Sequence, residues 1–115
     1  MNRDSIIFLE HMLDAIINIE TFMGNVSKQE FLDSVEKSSA VIRQIEILGE
    51  AAKNVKPSII SKYPFIPWKE IIGVRDKVIH HYFGIDLEII FDIVEKELPS
   101  LKKNLQKIIQ LETRK

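Results

Sequence analysis

Apolar residues recur at steps of three and four along nearly the whole chain, and no stretch alternates apolar with polar as a strand would. The pattern predicts a first helix from about Ser5 to Phe22, with Asp4 as its N-cap and Leu9, Met12, Leu13, Ile16, Ile17 and Ile19 on one broad face. Gly24-Asn25 ends it, since both residues tolerate the left-handed conformation of a helix C-terminus. Ser27-Lys28-Gln29-Glu30 has the form of a capping box and opens a second helix. Phe31, Val35, Ser38, Ile42, Ile45, Gly49, Ala52 and Val55 then follow as one face over about seven turns. Ser38, Gly49 and Ala52 are small, so another helix can come close there.

The stretch PSIISKYPFIPWK, residues 57 to 69, is the irregular part of the chain; its prolines forbid a long helix, although Ser58 to Lys62 can make one turn. Pro67-Trp68 leads into a third long helix, from about Trp68 to Phe83, which Gly84 ends. Asp86 caps a fourth, in which Pro99 predicts a kink or a break. Four or five helices with short connections imply an all-α, up-and-down bundle, and 115 residues suit a single domain over the full length, 1–115.

Composition changes this picture little. The residues are 45% hydrophobic and 29% charged, as in ordinary soluble domains, and a net charge of -1 supplies no bulk attraction for nucleic acid. An RNA partner therefore needs a local patch, or an oligomer that concentrates one. The lack of cysteine excludes disulfides and thiolate metal sites and agrees with a cytoplasmic location. Asp4, Glu10 and His11 interrupt the first apolar stretch, so a signal peptide is not expected there, and no run nears the roughly 20 apolar residues of a membrane span.

One segment gathers candidate chemistry: RDKVIHHYFGID, residues 75 to 86. At about 100° per residue, Tyr82 falls about 20° from Arg75, while Asp76 and His80 share a second stripe about 100° to 140° round. Ile72, Ile79 and Phe83 lie between the two polar sets, and Ile71, Val74 and Val78 on the remaining side can dock the helix on its own bundle. The second apolar stripe suggests a partner surface; two copies about a two-fold axis would bring both polar sets into one cleft. His80 can exchange a proton near neutral pH, Asp76 can orient it, and Arg75 offers a planar fork suited to a phosphate. The set fits metal-independent RNA cleavage, in which a 2′-hydroxyl attacks the adjacent phosphate. It also fits a hydrogen-bonded Asp–His pair beside a surface arginine, the commoner meaning of these residue types, and helical angles leave both readings open.

Arg75, His80 and Tyr82 spell R-x4-H-x-Y, which resembles the signature of the HepT family, minimal members of the HEPN (higher eukaryotes and prokaryotes nucleotide-binding) superfamily. ILGEAAK at residues 47 to 53, PFIPWKEIIGVRDKVIHHYFGID and IVEKELPSLKKNL resemble further parts of that family, so the likeness runs from about Ile6 to Leu111. The resemblance implies an all-α HEPN bundle that dimerises through the motif helix, and a ribonuclease toxin of a two-gene toxin–antitoxin module. It makes Arg75 and His80 catalytic and Asp76 a supporting residue, at a position where asparagine is commonest. It also implies an antitoxin partner, an MntA-like minimal nucleotidyltransferase, which transfers AMP from ATP to Tyr82.

Other polar residues fit quieter roles. His11 suits the surface or packing, and His80-His81 diverge too far on a helix to chelate one metal ion. Trp68 suits packing at the base of the motif helix, Glu50 a buried or interhelical hydrogen bond, and Lys102, Lys103 and Lys107 a solvated face. No metal and no cofactor is expected. The competing function is a non-catalytic helical dimer that binds a nucleotide or docks the nucleotidyltransferase.

Overall fold

A computed structural model describes residues 3–80 and 86–114, with side chains described for 4–77 and 86–114. The end expected for the motif helix, together with His81 and Tyr82, lies outside the described residues. Within them the chain is all-helical, in seven helices: α1 (Arg3–Met23), α2 (Lys28–Asp33), α3 (Val35–Lys53), α4 (Pro57–Lys62), α5 (Trp68–His80), α6 (Leu87–Lys96) and α7 (Leu98–Thr113).

Most boundaries follow local chemistry that the sequence announces. Gly24 ends α1 at φ 52, the left-handed region in which a side chain is strained. Ser27 and Glu30 form the capping box of α2, with both reciprocal hydrogen bonds in place. Asp86 caps α6 by accepting from the Glu88 and Ile89 amides. Pro99 takes the first turn of α7, where its missing N–H costs nothing, so it breaks the expected fourth helix in two.

Three expectations need correction. Asp4 lies inside the first turn of α1 and is not its N-cap. Ile17 is not part of the buried face of α1, being 40% exposed. The second helix is not continuous: Ser34 adopts extended geometry and its hydroxyl accepts from the Lys37 amide, which caps a new helix. The break turns Val35 out to 80% exposure. Phe31 stays fully buried on α2, against Phe91 of α6 with ring centroids 5.7 Å apart. A serine prefers capping over an interior helical position because its hydroxyl competes for backbone N–H groups.

The core is built by α1 packed on α3 and α7, with α5 packed chiefly on α3. Leu9, Met12, Ile16 and Ile19 of α1 meet Val41 and Ile45 of α3 and Leu105 and Ile108 of α7 in one cluster. At one edge, buried Glu112 accepts hydrogen bonds from the Tyr63 hydroxyl and from Lys62 Nζ, the latter at 2.9 Å. Burial, reinforced by Glu112, holds the Tyr63 phenol above its ordinary range, so it remains a donor far past neutral pH. That contribution is complete below about pH 10 and is lost only as pH climbs through the raised value. Replacing Glu112 with alanine is expected to lower stability by about 1–3 kcal/mol, because a buried hydroxyl loses its acceptor. A melting temperature equal to the parent's, measured by calorimetry, would refute this.

Candidate active site

The helix that carries the motif is fixed at its start. The Trp68 indole is buried and donates from Nε1 to the Tyr63 carbonyl at 3.0 Å, the packing role expected for it. From there α5 runs along α3, and the two helices approach closely at Gly49. A Cβ at that position would stand 2.1 Å from Arg75 Cβ, 2.8 Å from Arg75 Cγ and 3.2 Å from the Ile71 carbonyl oxygen. The aliphatic stem of Arg75 therefore lies directly on the α3 backbone.

The guanidinium emerges beside Glu50, the next residue of α3. Arg75 Nη2 stands 2.7 Å from Glu50 Oε2, and Nη1 donates to Asp76 Oδ1 at 2.9 Å. Arg75 is only 20% exposed, whereas the Glu50 and Asp76 side chains are 54% and 50% exposed. Its Nε is buried, and no hydrogen-bond partner for it is found among the described residues. The guanidinium is thus held between two carboxylates in a fixed plane, with its Nε donor unpaired among the described residues.

This placement revises the angular reading. Arg75 was expected on an outward shoulder of α5; it instead occupies the contact with α3, because Gly49 leaves room for its stem and a long cation can bury its methylenes while its head stays wet. Ile71, Ile72 and Val74 are half-buried against the core, and Lys77 is exposed. Asp76 bonds Arg75 through Oδ1, and its expected contact with His80 involves a side chain outside the described residues. His80 closes the described part of α5, with its side chain outside the described residues, and Tyr82 lies beyond it. The interhelical role expected of Glu50 is present as the ion pair with Arg75. Among the described residues no group of three His, Asp or Glu side chains could hold a metal ion.

Beside the guanidinium a groove of about 330 Å³ opens between α1 and α3, lined by Phe8, His11, Arg43, Glu46, Ile47, Glu50, Ala51, Asn54 and Arg75. His11 is exposed on its wall, with its ring edge-on to Phe8. Nothing in the local sequence around His11 signals this position, which depends on which helices become neighbours.

The family model described as Ribonuclease HepT-like matches residues 12–108. The chain belongs to the HepT-like ribonuclease family. Among its relatives, a Methanocaldococcus jannaschii protein named provisionally as an RNase is 43% identical over 94% of this chain and 89% of its own length. A Thermococcus cleftensis protein named as a probable ribonuclease HepT is 39% identical over 94% of this chain and 98% of its own. A third, from Caldanaerobacter subterraneus and also named provisionally as an RNase, is 38% identical over 91% of this chain and 94% of its own. No solved structure gives a significant match. Membership of the HepT-like family agrees with the all-helical bundle, and among the described residues no helix is long and apolar enough to cross a membrane.

Proposed function

We propose that the chain is a ribonuclease toxin that cuts RNA internally without a metal ion, from a cleft between the motif helices of two copies in the cytoplasm. The observation that carries the reading is Arg75, whose stem is locked on Gly49 and whose fork is held in plane by Glu50 and Asp76. Donors fixed before charge develops are what phosphoryl chemistry requires, since they need not reorganise during the reaction. In the cleft His80 takes the proton of a ribose 2′-hydroxyl, and the 2′-oxygen attacks the adjacent phosphorus. The bond from phosphorus to the 5′-oxygen breaks and that oxygen is protonated, which leaves a 2′,3′-cyclic phosphate and a 5′-hydroxyl end. Arg75 neutralises the charge that gathers on the non-bridging oxygens. Asp76 supports Arg75 by holding its fork.

The paired arrangement rests on the second apolar stripe of the motif helix, Ile72, Ile79 and Phe83, which a second copy would cover. Control then falls to an MntA-like nucleotidyltransferase antitoxin. The Tyr82 oxygen attacks the α-phosphorus of ATP, pyrophosphate leaves, and the bulky anionic AMP group competes with RNA for Arg75.

A second reading, a non-catalytic dimer that binds a nucleotide or docks the nucleotidyltransferase, is favoured by one observation. Both carboxylates beside Arg75 oppose an incoming phosphate. The test is cleavage of a total RNA pool by purified, unmodified protein in excess chelator, beside His80→Ala. Cleavage by the parent alone is expected; cleavage by neither would leave the binding dimer as the better account.

A further inference from the structure

We infer that the groove between α1 and α3 is a nucleobase subsite, which seats the base next to the phosphate held at Arg75. The ligand class, single-stranded RNA, rests on the ribonuclease reading, but the subsite is made by residues outside the R-x4-H-x-Y motif. Its position comes first. The groove includes Arg75 in its lining, so a chain whose phosphate lies on that guanidinium has a neighbouring nucleoside within reach of the groove.

Size and chemistry then decide what the groove holds. About 330 Å³ is at the small end of sites that enclose compact ligands, roughly 300–1,000 Å³. Phe8, Ile47 and Ala51 supply an apolar floor. The His11 ring stands perpendicular to Phe8, at 88° with centroids 5.9 Å apart. That contact steadies an exposed imidazole on the wall, in the manner of the rings on which unpaired bases stack. One turn beyond Glu50, Asn54 spends one amide hydrogen on the Glu50 carbonyl at 2.8 Å. The bond sets the amide plane and leaves an acceptor oxygen and a second N–H for the polar edge of a base.

Charge points the same way. Arg43 and Arg75 in the groove are matched by Glu46 and Glu50, with Arg43 paired to Glu46 at 3.0 Å. With both pairs made, the lining carries no net formal charge, which suits a neutral heterocycle, and a phosphate at Arg75 competes with Glu50 for its fork. The phosphate belongs at Arg75. The Arg43 side chain is 68% exposed, and a solvated pair of that kind costs little to break, so Arg43 can turn to the next phosphate along the strand.

The test uses the full-length protein in excess chelator. Cut positions are mapped by sequencing the ends formed in total RNA, and kinetics are then measured on an oligoribonucleotide copied from the most frequent cut. His11→Ala is expected to raise KM about five- to tenfold with kcat within about twofold, the lower end of what one base–ring stack contributes. It should also broaden base preference at one position flanking the cut. His11→Phe keeps a ring and should restore KM, which a merely structural role for His11 would not produce. Asn54→Ala should relax the same base preference. If the parent cleaves and His11→Ala keeps both its KM and its cut positions, the subsite is overturned while the ribonuclease reading stands.

If the parent cleaves nothing, binding of a short fluorescein-labelled single-stranded RNA of mixed sequence decides, by anisotropy. Weaker binding by His11→Ala, restored by His11→Phe, would keep the subsite and remove the ribonuclease. Equal binding by parent and variants, or none at all, would overturn the subsite.

Discussion

Arg75→Met is expected to lose RNA cleavage by about two to three orders of magnitude while melting no lower than the parent. The two halves of this expectation have different causes. Cleavage fails because methionine keeps the stem and removes the fork that meets the developing phosphorane charge. Stability survives because the fork contributes little to the fold. Its ion pairs reach Glu50 and Asp76 side chains that are about half exposed, and such pairs are worth about 0–1 kcal/mol each. Against them stands Nε, buried without a partner among the described residues, at a cost of about 1–3 kcal/mol. Methionine removes that cost and still covers Gly49. Arg75→Lys separates charge from shape: it keeps the cation but loses the planar donors, and most of the activity should go with them. Paired cleavage assays and thermal melts decide the matter. A Met variant that melts well below the parent and still cuts RNA would make Arg75 a structural strut.

Gly49→Ala is the second large effect, at a residue with no chemistry of its own. In a helix interior this exchange usually stabilises, by about 1 kcal/mol. Here the added Cβ would lie 2.1 Å from Arg75 Cβ, and ordinary carbon–carbon contact requires about 3.5–4.0 Å. The facing atom sits at the root of the side chain, so rotamer changes cannot relieve the clash and α5 must move away by more than an ångström. Overpacking of this sort costs about 1–3 kcal/mol, which more than offsets the gain in helix propensity. Because the displaced helix carries Arg75 and His80, cleavage should fall about a hundredfold, the scale on which a misplacement of about an ångström acts. Parent-like cleavage by Gly49→Ala would show that the α3–α5 contact does not position the site.

What could be read from the sequence was local. The ends at Gly24, Ser27, Asp86 and Pro99 and the docking of Trp68 each depend on a residue and its immediate neighbours, and each is found where the residue types place it. The break at Ser34 was hidden because Phe31 and Val35 continue the step-of-four pattern across it, and only the Lys37 amide shows that the serine is a cap. The direction of Arg75 was hidden for another reason. A pattern of polar and apolar letters files arginine with the solvent side, whereas its methylenes fill the space Gly49 leaves. Glu50 and His11 reach the site from α3 and α1. Their nearness to Arg75 is a property of helix packing that no spacing within one helix can encode.

The edge where Glu112 meets Tyr63 ties distant parts of the chain to the motif helix. Tyr63 gives its hydroxyl to Glu112 and its carbonyl to the indole of Trp68, the first residue of α5. A tug on the last turn of α7 is therefore transmitted through one tyrosine to the base of the helix that bears Arg75 and His80. Substitutions in the last turn of α7 are expected to be felt at the base of the helix that carries the proposed active site.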